Sequence, residues 1–195
     1  METLREALER VPDPRSSQGR RHPLGAILAL AVCAMLSGAK SLYAISQWGR
    51  DQGEPMAQAL GFSRSQTPSV ATLHRVFRAL DQEVFEWVLG QWLQEQGLRP
   101  AEALAIDGKR LRGIHGEAIP GVHLVAAYAQ QSGLVVGQQR VPDGGNELGA
   151  VPGLLAQLPL AGRVVTGDAQ FAQRELSRAI VTQGGITSGG SKTTS

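Results

Sequence analysis

Cysteine is almost absent from this chain. Its 195 residues hold one, Cys33, which excludes a disulfide framework and a cysteine-based zinc site. Aromatic residues make up only 5% of it. Trp48, Trp87 and Trp92 are therefore expected to pack rather than to form a platform for stacked bases. A dominant charge is lacking too: 19 Lys and Arg stand against 17 Asp and Glu, a net of +2. There is no polybasic tail and no acidic solvating run. So small an excess of base permits a nucleic-acid partner without arguing for one. A run long enough to cross a bilayer is missing from the helical half. Leu24 to Ala39 is apolar and uncharged but only sixteen residues long, against the roughly 20 a span requires. It reads as a buried core helix. The first residues carry Glu2, Glu6, Glu9 and Asp13, unlike the basic start of a secretory signal. The expectation is a cytoplasmic protein with no membrane contact.

What is present is enough for a core. Hydrophobic residues are 42% of the chain and charged ones 18%, a globular balance at the length of one large or two small domains. The pattern changes near Pro100. Before it the apolar residues recur at helical spacing: Leu4 and Leu8; Leu24 to Leu36; Leu42, Ile45 and Trp48. Thr67-Pro68-Ser69 is a helix start, a hydroxyl cap with proline in the first turn. From it Val70, Leu73, Val76, Phe77 and Leu80 form one face, and His74, Arg75 and Arg78 the other. Asp81 caps a further helix with Val84, Phe85, Val88, Leu89 and Trp92 as its stripe. The pair suggests a helical hairpin or helix-turn-helix-like module. Arg15, Arg20 and Arg21 fall in a basic, Pro- and Gly-punctuated loop.

After Pro100 short apolar runs appear at 103–106, 123–129, 133–141 and 163–166, with helical segments at 146–158 and 169–182. The order is βββαβα. Asp107 and Asp168 each follow an apolar run and each touch a glycine. Carboxylates fixed at strand ends suit a hard cation such as Mg²⁺. An Asp-Gly pair is equally an ordinary turn, and spacing leaves both readings open. Lys109, Arg110 and Arg112 follow directly and would suit a phosphodiester or a solvated face. His115 and His123 have no partner at metal-like spacing. Glu147 stands just after the cap Asn146, where the helix dipole alone accounts for an acid.

Five segments in this order, TPSVATLHRVFRALD, ALAIDGKRLRG, HLVAAYA, NELGAVPGLLAQL and VVTGDA, follow the leader GRRHPLGAILALAVCAMLSGAKSLYAISQWGR. Together they resemble bacterial insertion-sequence transposases of the H-repeat-associated type. The likeness covers residues from about 10 to 185. It implies a ribonuclease H-like core with an Asp, Asp, Glu triad binding two Mg²⁺ and cutting and joining DNA at transposon ends. It carries the first two acids, as catalytic and metal residues, onto Asp107 and Asp168. The residues expected to contact such DNA are the basic cluster Lys109, Arg110 and Arg112, the helix-face Arg75 and Arg78, and the loop Arg20 and Arg21; the resemblance implies multimeric action, as a homo-oligomer or with intact transposase copies.

The resemblance implies a third acid on a later helix. The only glutamate after Asp168 is Glu175, seven residues on, and the role is not carried onto it. The expected organisation is therefore α+β or α/β: a helical DNA-binding domain over 1–98, an incomplete ribonuclease H-like domain with a mixed sheet over 101–185, and an aberrant tail over 186–195. The tail ITSGGSKTTS is what one deleted base would make of a DYFWRVKDNQ-like continuation, so a frameshift is expected there. A chain with two of three acids is expected to have negligible strand-transfer activity. The alternative is a non-catalytic DNA-binding remnant that binds transposon ends or modulates an intact transposase.

Overall fold

The computed structural model describes residues 2–110 and 122–187. Arg112 and His115 lie outside them, as does 188–195 of the tail. The chain forms two compact units, Met1–Trp92 and Leu93–Ser195.

The first unit is helical: α1 Leu4–Glu9, α2 Leu24–Leu36, α3 Leu42–Asp51, α4 Gly53–Ala59, α5 Val70–Ala79, and most of α6 Gln82–Gly97. Caps place the starts. Thr3 and Glu6 close a reciprocal capping box on α1. Ser41 accepts from the Ala44 amide at α3, and Ser69 from the Thr72 amide at α5. α2 is the centre of the core, with Ile27, Leu28 and Leu30 fully enclosed. It meets Leu8, Ile45, Leu73, Val76 and Val88 from the other helices. No helix among the described residues is long and apolar enough to cross a membrane. Trp48 and Trp92 pack against this core as expected, whereas Trp87 stays 47% exposed. Helix α4, with Gly53 and Pro55 near its start, carried no expectation from the sequence. Both fall in its first turn, where proline forfeits no intrahelical bond.

The second unit is a mixed sheet ordered β3-β2-β1-β4-β5. Its strands are β1 Leu104–Arg110, β2 His123–Ala129, β3 Val135–Arg140, β4 Val164–Gly167 and β5 Ile186–Thr187. β1 and β2, and β2 and β3, run antiparallel; β1 and β4, and β4 and β5, run parallel. Helices α7 Glu147–Leu155 and α8 Arg174–Thr182 complete it. Leu104, Ile106, Val125 and Ala127 turn one sheet face toward Leu154 and Leu155 of α7, joined by Leu176 and Ile180 of α8. Gly133, at φ +74°, makes the turn between β2 and β3.

Three expectations are corrected. β1 does not end at Ile106: it pairs with β2 as far as Arg110 opposite His123. The expected helix over 169–182 is broken. A 3₁₀ turn, Ala169–Phe171, is followed by extended Gln173 and then α8. The break lets Phe171 enter the core while Leu176 and Ile180 keep the buried stripe. The tail is not wholly outside the fold, because Ile186 and Thr187 pair with Val164 and Val165 as β5. A strand of two residues asks only for backbone donors and acceptors and for β-compatible side chains, which Ile and Thr supply whatever their origin.

Candidate active site

Two buried polar residues set the register of the strands that matter. Glu102 stands two residues before β1 and is fully enclosed. Its carboxylate accepts from the backbone amides of Gln131 and Ser132, in the β2–β3 turn, and from that of Arg99 at 3.1 Å. Burial pushes its pKa up, but the Ser132, Arg99 and Gln131 amides outweigh that and hold the carboxyl below its usual range. Arg163 stands immediately before β4 and is 8% exposed. Its guanidinium donates to the carbonyls of Pro159 at 2.8 Å, Arg99 at 2.7 Å and Glu102 at 3.3 Å. Arg163 thus ties the entry of β4 to the backbone just before β1, and Glu102 ties that same backbone to the β2–β3 turn. Neither residue was singled out from the sequence. Burial of a charged residue is invisible in a linear pattern.

From those anchors the parallel register runs Leu104 with Val165, Ala105 with Thr166, and Ile106 with Gly167. The next residue after each of these is an aspartate: Asp107 on β1, and Asp168 just past the end of β4. Neighbouring strands lie about 4.8 Å apart, so the two expected acids are side by side where the parallel pairing ends. Residues alternate between faces. Leu104, Ile106 and Gly108 share the face toward α7, and Asp107 lies on the other with Ala105 and Lys109. Asp107, Lys109, Arg110 and Asp168 are all exposed. Asp168 also has a structural role, because its Oδ1 accepts from the Ala169 amide and starts the 3₁₀ turn. Arg110 pairs with His123 across β1 and β2.

Glu147 comes to the same strand from the opposite side. It starts α7, capped by Asn146, whose Oδ1 accepts from the Gly149 amide at 2.8 Å. Its carboxylate lies over Gly108, so closely that a Cβ there would overlap it. It accepts from Gln170 Nε2 at 2.6 Å. Gln170 follows Asp168 by two residues, so this bond links the start of α7 to the loop that carries the second aspartate. Among the described residues no group of three or more His, Cys, Asp or Glu converges as a metal cage. Two adjacent exposed carboxylates do fit Mg²⁺, which is usually held by one or two carboxylates with water and phosphate oxygens completing its shell. The residues that would hold it are Asp107 and Asp168.

The arginines expected to contact DNA on the helical half separate into two sets. Arg20, Arg21 and Arg75 line one cleft of the first unit, together with Arg15 and Arg64. Arg78 is exposed on α5 but outside the lining of that cleft. Arg64 had no signal of its own, being one charge in a polar loop ahead of α5.

Comparison with known proteins divides the chain in the same way. Residues 5–93 match the family described as DDE_Tnp_1-associated, and residues 98–189 the family described as Transposase DDE domain. An “Uncharacterized protein in dhlA 3′region” of Xanthobacter autotrophicus is 35% identical over 91% of this chain and 61% of its own length. “Putative transposase YncI” of Escherichia coli K12 is 32% identical over 92% of this chain and 73% of its own length. “H repeat-associated putative transposase YhhI” of the same organism is 29% identical, over 95% and 50%. The chain thus spans about half to three quarters of the length of these relatives. No solved structure matches.

Proposed function

Because the chain belongs to the transposase family that carries the Transposase DDE domain, we propose that its sheet unit is built for metal-dependent phosphoryl transfer on transposon-end DNA. The observation that carries this is the parallel register, which brings Asp107 and Asp168 to adjacent positions beyond Ile106 and Gly167. Mg²⁺ held there would polarise a phosphoryl oxygen and ease ionisation of an attacking hydroxyl or water. The chain's own part is positional. The Glu102 and Arg163 anchors hold the two strands in phase. Lys109, on the Asp107 face, and Arg110, beside it, bring cations to a phosphodiester and steady it against the carboxylates. The arrangement of helices on a mixed sheet supports the ribonuclease H-like reading of this unit.

The reading distinguishes lineage from the activity of these 195 residues taken alone. The one glutamate after Asp168, Glu175, is exposed in the first turn of α8, away from both strand ends in sequence and in element. A polypeptide of these residues is therefore proposed to lack strand transfer. An Mg²⁺-dependent joining assay with element-end duplexes tests this. No product is expected, and turnover abolished by Asp107→Asn would overturn it.

A second reading, binding of DNA without catalysis, is favoured by one observation: five arginines gathered on one cleft of the helical unit. A module of that kind would occupy transposon ends or modulate a catalytically complete transposase.

A further inference from the structure

We propose that this cleft is a cradle for the phosphate backbone of duplex DNA, with Arg21, Arg64 and Arg75 as its contact residues and Arg15 and Arg20 as its frame. The inference rests on the transposase reading for the identity of the polyanion and adds to it the site.

The cleft is open, with a volume of about 630 Å³. Its walls come from the loop between α1 and α2, the loop before α5, and the first turns of α5. Five guanidiniums line it and no carboxylate does. Two of the five are already in use. Asp13 accepts from the Arg15 amide at 3.0 Å, from Nε at 2.9 Å and from Nη2 at 2.8 Å. Arg15 Nη2 also donates to the His22 carbonyl at 2.8 Å. Arg20 folds back on the Arg15 carbonyl at 3.0 and 2.8 Å and on that of Asp13 at 3.3 Å. These bonds fix the loop.

The other three are unspent. Arg21, Arg64 and Arg75 are exposed and make no hydrogen bond or ion pair among the described residues. Each offers five donors. Three uncompensated cations on one cleft repel each other, and a polyanion relieves that repulsion. The positive field registers on a neighbour. His22 is buried at the base of the loop, its ring edge-on to Phe62 at 5.5 Å. Its pKa is pushed down by burial first and then by Arg21, Arg15 and Arg64. The cleft floor adds the capped start of α5, where Ser69 and Thr72 present hydroxyls and the helix dipole favours an anion.

The lining also says which polyanion. Phe, Tyr and Trp are absent from it, so unpaired bases find nothing to stack on, whereas single-strand binders rely on aromatic platforms. Guanidiniums, hydroxyls and a helix start are the groups that contact phosphates without reading sequence. A duplex presents those phosphates and keeps its bases to itself.

The test uses the whole chain and a short duplex of arbitrary sequence, with affinity measured by fluorescence anisotropy between about 50 and 200 mM salt. The slope of log affinity against log salt counts displaced counterions, and each lost phosphate contact reduces it by about 1. Arg21→Gln, Arg64→Gln and Arg75→Gln are each expected to lower it so, and the triple variant by about 3. Lys40→Gln, exposed and outside the cleft, is expected to leave the slope unchanged. All are exposed and unbonded, so unaltered melting confirms that the fold persists. The His22 imidazole, followed by NMR, is expected to gain pKa when duplex DNA is added. Binding by the native chain with the same slope in the triple variant, an equal loss in Lys40→Gln, or tighter binding of single strands would each overturn the cradle while leaving DNA binding intact. No binding by the native chain at any salt would overturn the DNA reading as well.

Discussion

Replacing Gly108 with alanine probes the closest approach near the candidate site. The strand backbone accepts alanine at this position, since Gly108 is not among the residues at positive φ. Relief from glycine's entropy would alone stabilise the strand by about 0.5–1 kcal/mol. Against this, the new methyl meets the Glu147 carboxylate. Overpacking of that kind costs about 1–3 kcal/mol when nothing can move. Glu147 is partly exposed at the start of α7 and can swing outward, but then it leaves Gln170. A hydrogen bond to a charged group contributes about 1.5–3 kcal/mol, toward the low end at a wet surface. The net expectation is a loss of about 1 kcal/mol. The sharper expectation is coupling. With Glu147→Ala in place, Gly108→Ala becomes neutral or stabilising, so the double-mutant cycle returns about 1 kcal/mol or more. Urea unfolding monitored by far-UV circular dichroism measures all four proteins. Gly108→Ala as stable as the native chain, with additive behaviour in the double variant, would refute the placement of Glu147 over this strand.

Arg163→Ala is expected to cost about 3 kcal/mol, because it removes a guanidinium bonded to three carbonyls and empties a buried site; chemical denaturation checks it, and a loss within 0.5 kcal/mol, the range of ordinary surface changes, would contradict the anchor. Ala101 is the one described residue other than glycine at positive φ, +54°. Ala101→Gly is therefore expected to stabilise by up to about 1 kcal/mol, a rise in melting temperature. His22 has a folded pKa below its ordinary 6.5. Below that pH the unfolded chain takes up a proton that the folded chain resists, so stability is full above it and falls as pH drops toward the folded value. Melting as a function of pH should show this decline, and His22→Gln should remove that contribution.

The sequence made some parts of this molecule legible and hid others for physical reasons. α2 is visible because Leu24–Leu36 is apolar throughout and has a proline before it and Ser37-Gly38 after it. α5 is visible because its cap and its 3/4 spacing agree. The two aspartates could be named from the motifs around them. Their adjacency could not, because it depends on β1 and β4 pairing in parallel across an antiparallel hairpin and a helix. Nor could the placement of Glu147: the cap next to it explained an acid there, and only the fold lays it on Gly108. The arginine cleft joins residues more than forty positions apart in sequence, Arg15 and Arg20 with Arg64 and Arg75, where linear charge counting sees a nearly balanced chain. β5 escaped notice because two paired residues leave no periodicity to read.

The central claim is that Asp107 and Asp168 form one divalent-cation site at adjacent strand ends. It is tested most directly by titrating the 195-residue chain with Mn²⁺, followed by electron paramagnetic resonance, beside Asp107→Asn and Asp168→Asn. If the two carboxylates share an ion, either substitution alone should weaken binding by about tenfold or more, roughly 1.4 kcal/mol, with melting unchanged. Equal Mn²⁺ binding by all three proteins would mean that the two aspartates hold no ion in common, and the catalytic reading of this site would fall.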